Sequence, residues 1–314
     1  MLYQDSMALV RHFGKPTFFI TMTANSHYPE IERCLYPGQQ PSDRPDLIAR
    51  VFWLKCCALL ADLKRGVLGP YLAHCYTIEY QKRGLPHLHL LLFLQKEGRI
   101  ENAAQLDQVI CAELPNPSWD PNGTLADLVK KLMIHGPCGE HNPNSVCMAR
   151  KTPQSPLLCT KGYPKPFAAC TTIREDCYPE YRRRNNGRTW TVPKPGCPSE
   201  TVTLDNRWVV PYNPYLLQKY RSHINVEYCA TIDAIKYLTK YVYKGADRTT
   251  LAVEGNQDEI TQYVQGRYIG PTEAVWRLFE FSTHQEWPPV THLQVHLEGE
   301  QTIYFDKEKS PEEL

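Results

Sequence analysis

An α/β (α+β) fold, a central antiparallel sheet of about five strands with helices packed on it and a Cys-rich inserted subdomain, follows from three features. Tyr76 to Leu94 reads as two strands joined by a Lys82-Arg83-Gly84 turn. A strand-like run and a long helical run precede that hairpin, an order that suits an antiparallel sheet with helices on one face. From His135 to Tyr220 the chain is crowded with Pro, Gly and Cys, so regular structure there should be short and held by something other than a large core.

Element by element, Pro16 to Ala24 is β-branched and aromatic and predicts a buried strand. Asp46 to Arg65 carries Leu47, Val51, Leu54, Ala58 and Ala61 at helical spacing, and Gly66 and Gly69-Pro70 end it. Leu125 to Ile134 is helical by periodicity, and Ile224 to Tyr228 reads as a further strand. Thr231 to Lys244 predicts an amphipathic helix with Ile232, Ile235, Leu238 and Val242 buried. Helices are expected at Glu259 to Gln265 and Thr272 to Phe281, and a closing hairpin at Leu293–Leu297 and Thr302–Phe305. The organisation expected is a core in two parts, 1–134 and 221–314, around an insertion at 135–220.

The chain has 314 residues, 42% hydrophobic and 22% charged, with net charge +1, so no global basic field announces a nucleic-acid partner. The charge is uneven: Met148 to Gly196 holds ten Lys/Arg against three Asp/Glu, a local balance of +7. Such a region can follow a phosphate backbone in a neutral molecule. Twelve cysteines without a secretory leader argue for reduced thiols or metal binding. No signal peptide or membrane-spanning run is recognisable, which predicts a cytosolic or nuclear protein.

The chemistry-bearing residues fall into two groups. His87 and His89 lie two apart on a strand and project to one face, while Leu88 and Leu90 face the other way. An imidazole pair on one sheet face is a two-point metal grip. Solvated strand histidines are the plainer reading of the pair alone. Glu79 and Gln81 on the preceding strand can stand beside it. The second group is Lys236-Tyr237-Leu238-Thr239-Lys240-Tyr241-Val242-Tyr243-Lys244. Tyr237 and Tyr241 share a helical face, roughly 6 Å apart along the axis, flanked by Lys240 and Lys244. A phenol is a weak nucleophile toward a phosphodiester unless a cation neutralises the non-bridging oxygens. A Tyr-rich helix using its rings as core is the competing reading; the histidine hairpin tips the balance toward chemistry.

Gln81-Lys82-Arg83-Gly84-Leu85-Pro86-His87-Leu88-His89 resembles the His-hydrophobe-His signature of HUH endonucleases. The Lys236 to Gly245 run resembles the paired-tyrosine helix of the Helitron subgroup, whose transposases carry a Rep domain. The likeness extends through Phe18-Ile20-Thr21-Thr23, His135-Gly136-Pro137-Cys138-Gly139, Lys161 to Lys165 and Ile224 to Glu227. It implies a nuclease that nicks single-stranded DNA, joins its own Tyr237 or Tyr241 to the 5′ phosphate, and transfers the strand in rolling-circle transposition, with Lys240 assisting. It implies Mg²⁺ or Mn²⁺ on His87, His89 and a third ligand, Glu79 before Gln81. It implies single-stranded DNA at the transposon ends, a nuclear location, and a partner helicase, since no Gly-x-x-x-x-Gly-Lys-Ser/Thr loop occurs in this sequence. The alternative is an inactive or fragmentary single-stranded-DNA-binding domain.

His135, Cys138, Cys147 and Cys159 form a plausible tetrahedral Zn²⁺ set, against unpaired structural cysteines. His141 is an alternative fourth ligand, and Cys170, Cys177 and Cys197 could extend or replace the set. Arg182, Arg183 and Arg184 beside Tyr178 and Tyr181, with Lys236 and Lys244, are candidate DNA contacts, because cations and aromatic faces together suit a single strand.

Overall fold

The computed structural model describes residues 2–80, 84–152, 154–174, 178–230, 248–252, 263–267, 269–293 and 298. In chain order the elements are α1 (Leu2–Phe13), β1 (Phe18–Thr23), α2 (Pro29–Glu32), α3 (Pro45–Lys64), β2 (Tyr71–Tyr80), β3 (Pro86–Leu94), α4 (Ala103–Val109) and α5 (Thr124–Leu132). Then come β4 (Met148–Ala149), β5 (Leu158–Cys159), β6 (Thr189–Lys194), β7 (Cys197–Asp205), α6 (Pro214–Tyr220) and β8 (His223–Tyr228). β9 (Arg248–Ala252), β10 (Tyr263–Arg267), α7 (Pro271–Leu278) and β11 (His284–Trp287) complete the described chain.

The central sheet has five strands in the order β11-β2-β3-β1-β8, and every pairing in it is antiparallel. The expected fold class is what forms. β3, the strand carrying the histidines, is the central strand. Strand geometry sends alternate side chains to opposite faces. Ile20, Met22, Tyr76, Ile78, Leu88, Leu90, Leu92, Ile224 and Val226 therefore share one face and join the main hydrophobic core.

That core is capped by α3, which Pro45 opens at its first turn. The helix lies where the periodicity puts it, but it is rolled about its axis. Ile48, Phe52, Cys56, Leu59 and Leu63 face the sheet, whereas Leu54 is exposed. The bulkier run at spacings of three and four wins the interior over Leu47, Val51 and Leu54. Trp276 of α7 is fully buried and packs edge-on to Trp53.

Three further differences have physical causes. Helices do not keep to one face: Leu9 and Val10 of α1 cover Ala73, Cys75, Leu91 and Phe93 on the opposite one. Tyr263–Arg267 is a strand paired with Arg248–Ala252, not the end of a helix; its Tyr-Val pair favours extended backbone and its Gly weakens a helix. The insertion, expected to lack a large core, sends Trp190, Val202, Leu204, Trp208, Val209 and Tyr212 into the same core as the sheet. The segments 231–244, 259–262, 294–297 and 302–305, with the tyrosine helix and the closing hairpin among them, lie outside the described residues.

Leu90 is fully buried at the centre of β3. Its replacement by Ala should cost about 2–5 kcal/mol through lost transfer energy and a residual cavity. A matching drop in the urea midpoint, with near-native circular dichroism, is the expected measurement.

Candidate metal centres on the sheet and in the insertion

The second face of the sheet is polar at one end. Glu79 of β2 pairs with His87 of β3, His87 with Thr23 of β1, and Thr23 with His223 of β8, forming one row across four strands. The next row is His284, Thr77, His89, Thr21 and Asn225. Directly opposed residues in an antiparallel pair share a face, so four imidazoles from three strands, His87 and His89 of β3, His223 of β8 and His284 of β11, look the same way. The row after that holds Cys75, Leu91 and Phe19, where α1 begins to cover the surface.

Both histidines of β3 are tethered on the β1 side. His87 Nδ1 lies 2.8 Å from Thr23 Oγ1, and His89 Nδ1 lies 3.2 Å from Thr21 Oγ1. His89 Nε2 is 3.1 Å from Glu79 Oε2, and its ring stacks on Phe19 at 6.0 Å. His87, His89 and Glu79 are 8%, 4% and 9% exposed, so these are not solvated strand residues. Burial pushes the His87 imidazole down to about 4, with His89 and His223 adding to the effect and Glu79 opposing it. Burial likewise lowers His223.

Of this donor set, His89 and Glu79 stand at the spacing of two ligands on one divalent cation, whereas His87, His89 and Glu79 together do not bring three ligand atoms within 4.8 Å of one another. Cis ligands at right angles with bonds of about 2.1 Å stand roughly 3 Å apart, close to the 3.1 Å between His89 Nε2 and Glu79 Oε2. Ligation through Nε2 requires each Nδ1 to keep its proton and donate to threonine, the outer-shell arrangement that orients metal-binding histidines. Glu79 lies beside His89, while Gln81 lies outside the described residues. Thr21, Thr23 and His223 were not singled out as site residues from sequence. Thr21 and Thr23 alternate on β1 as His87 and His89 do on β3, which is the signal that could have found them.

The second centre is in the insertion. His135, Cys138, Cys147 and Cys159 bring their ligand atoms within 4.8 Å of one another, and among the described residues no other group of three or more His, Cys, Asp or Glu does so. His135 Nε2 lies 3.4 Å from Cys159 Sγ, near the ~3.6 Å edge of a tetrahedron with Zn–N about 2.0–2.1 Å and Zn–S about 2.3 Å. The group can bind a metal such as zinc.

Local backbone assembles it. His135 N–H donates to Trp208 C=O at 2.9 Å just after α5. The two-residue strands β4 and β5 pair Met148 with Cys159, and Thr160 N–H donates to Cys147 C=O at 2.7 Å. Tyr163 stacks on the His135 ring at 4.3 Å. Burial and the neighbouring thiols push Cys138 up; burial also acts to raise Cys159, but backbone N–H groups at Tyr163 and Lys161 hold it below the ordinary thiol range. His141 does not join: its ring lies by Trp208 at 6.0 Å. Cys170 and Cys197 are exposed free thiols, and Cys177 lies outside the described residues.

The arginine run is split: Arg183 is buried, Arg182 partly exposed and Arg184 exposed. Arg183 is 4% exposed and donates to the Tyr181 and Val209 carbonyls. Arg184 grips Glu113 at 2.6 Å, and Arg182 pairs with Asp107 at 2.9 Å. Tyr181 is buried, its hydroxyl accepting from Tyr228 N–H, while Tyr178 is exposed. Arg182 and Arg184 thus join the insertion to Asp107 and Glu113 of the segment before it. Tyr237, Tyr241, Lys236, Lys240 and Lys244 lie outside the described residues.

The fold and site define an α/β domain with a histidine-bearing, carboxylate-flanked sheet face and an inserted Cys₃His cluster. Residues 1–92 match the family described as the Helitron helicase-like domain at N-terminus. The matched segment runs from α1 into β3 and contains Thr21, Thr23, Glu79, His87 and His89. It sets the chain in the context of Helitron transposition. No curated protein matches the chain. No helix among the described residues is long and apolar enough to cross a membrane.

Two outcomes test the centres. Thr23→Val keeps the strand but removes the His87 tether, and should weaken divalent-ion binding about 10–100-fold while leaving the melting temperature nearly unchanged. Chelation of zinc, or Cys138→Ser, should expose the insertion to limited proteolysis between residues 135 and 165 while the central sheet stays protected.

Proposed function

We propose that the chain is an HUH-type, metal-dependent endonuclease and strand transferase that nicks single-stranded DNA in rolling-circle transposition. One observation carries this reading: two buried histidines on the central strand, each held at Nδ1 by a threonine, stand beside a carboxylate 3.1 Å from one of them, inside the Helitron-matched segment. A bound Mg²⁺ or Mn²⁺ neutralises the non-bridging phosphate oxygens and aligns the scissile bond.

The protein residues do the rest. His87, His89 and Glu79 hold the ion, and Thr21 and Thr23 fix the imidazoles. The Tyr237 or Tyr241 oxygen attacks phosphorus after losing its proton. The P–O3′ bond breaks, the 3′ oxygen takes up a proton, and the 5′ phosphate stays esterified to tyrosine. That ester conserves the bond energy for resealing. Lys240 offsets the phosphate charge, and Lys236 and Lys244 steady the strand on either side.

In this reading the His135, Cys138, Cys147 and Cys159 set holds a structural Zn²⁺. The partners are single-stranded transposon ends and a helicase, and the work is done in the nucleus.

Incubation with a labelled oligonucleotide and Mn²⁺, followed by a denaturing gel, tests the chemistry. A covalent protein–DNA band is expected from the unaltered chain, a weaker or redirected band from Tyr237→Phe or Tyr241→Phe alone, and none from the double substitution. Binding without any adduct leaves a single-stranded-DNA-binding module; cleavage that survives the double substitution means that water is the nucleophile.

A further inference from the structure

The insertion carries a cleft that the proposed chemistry leaves idle. It holds about 610 Å³ beside the thiolate cluster, and its lining comes from residues 138–148, residues 157–164 and Trp208. That is the size of a small-ligand site, and such sites are mostly apolar with a few polar groups. Met148, Leu158 and Pro164 supply apolar walls, while His141, Tyr163 and Trp208 add rings. Leu158 is 58% exposed, a large apolar side chain offered to solvent at a concave surface.

The walls are set in advance. β4 and β5 pair Met148 with Cys159 and Ala149 with Leu158. Tyr163 stacks on His135 at 4.3 Å, and the His141 ring lies 6.0 Å from Trp208. A preorganised cleft spends little ordering entropy on a ligand. His223 of β8 lies close enough to act on the His135 charge, so the cleft is near the polar end of the sheet.

Charge selects the ligand. From His135 to Lys165 the chain has four cations, Arg150, Lys151, Lys161 and Lys165, against one acid, Glu140. The cations follow the walls in sequence: Arg150 and Lys151 come after β4, Lys161 after β5, Lys165 after Pro164. Arg182 and Arg184 are tied to carboxylates. Lys165 instead donates to the Lys161 carbonyl at 2.8 Å, and Arg150 to the Ser155 carbonyl at 2.6 Å. Neutral acceptors leave both charges uncompensated. An apolar slot with a cationic rim suits a single strand, whose bases have flat apolar faces and whose phosphates need cations. An acidic peptide matches the charge alone.

We propose that this cleft holds a base of single-stranded DNA while the adjoining phosphates run over Lys161 and Lys165. The inference rests on the single-stranded-DNA reading above and deepens it with a second place on the chain where the strand is held.

The experiment uses the full chain, zinc-loaded and free of other divalent ions so that no strand is cut. The probe is a short DNA strand of mixed sequence carrying 4-thiothymidine. Fluorescence anisotropy measures its affinity, and ultraviolet cross-linking with peptide mass spectrometry locates the base. Cross-links are expected within residues 138–164 or at Trp208. Lys161→Gln/Lys165→Gln should bind at least tenfold more weakly, with a salt slope reduced by about two. An abasic strand of equal length should also bind at least tenfold more weakly. Oligoglutamate of equal charge should not displace the strand; if it does, the cleft reads charge alone and the assignment falls. Cross-links confined to other peptides, an abasic strand bound as tightly, or full affinity in the paired lysine substitution each overturn this site. They leave the nicking reading intact, because the adduct gel decides that separately. No binding of the strand, with or without Mn²⁺, overturns both. The cross-link map on the unaltered chain needs no substitution, so it decides the matter even where the lysine variant fails to fold.

Discussion

Everything at the polar face depends on strand register. β1 pairs with β3 so that Thr21 meets His89 and Thr23 meets His87, and β2 pairs with β3 so that Glu79 meets His87. A slip of one residue in either pairing would turn the threonines or the carboxylate to the apolar side and put Ile20 and Met22, or Ile78, among the histidines. The slip is prevented by the other face, where Ile20, Met22, Ile78, Leu88, Leu90 and Leu92 are locked under α3. Burial of these chains, each worth about 1.5–3 kcal/mol, thus holds the imidazoles to their partners. Packing on one face stores the chemistry of the other.

Much of this was legible in the sequence because it follows from period two. The alternation of His87, Leu88, His89 and Leu90 gives the faces, the Lys-Arg-Gly turn gives the hairpin, and Glu79 lies at a distance from that turn that sets it opposite His87. The four zinc-type ligands were legible as residue types, and the fold brings them together. What periodicity does not encode is pairing between distant strands. Thr23 and His223 are 200 residues apart, and only the β1–β8 ladder joins them. Periodicity does not fix which side of α3 is buried for a related reason: two overlapping apolar stripes run along it, and the bulk of the sheet chooses between them.

The Arg182–Arg184 run shows the same limit from the electrostatic side. In sequence it is a block of positive charge, which usually signals a solvated or phosphate-binding surface. In the fold Arg184 and Arg182 meet Glu113, only 3% exposed, and burial acts to raise that carboxyl while the guanidinium bonds hold it below the ordinary range. Glu113 lies about 70 residues upstream and is unremarkable in its local sequence. A charge count over a window cannot see a partner outside the window, so local excess charge measures surface only when the fold does not neutralise it.

The two centres are not electrically independent. Burial lowers His135, and the nearby Lys161, Lys165 and His223 lower it further; His223 also acts on His87. His223 therefore stands between the insertion and the histidine face. Three thiolates and an imidazole around Zn²⁺ would carry a formal charge of −1, which would offset the positive field that Lys161 and Lys165 direct at His135. An insertion that merely needed a fold could have used its own apolar residues, since Trp190, Leu204 and Trp208 already reach the common core. A zinc-filled thiolate centre at this spot would do something a hydrophobic cluster cannot: it would place a negative charge beside Lys161 and Lys165, which act on His135.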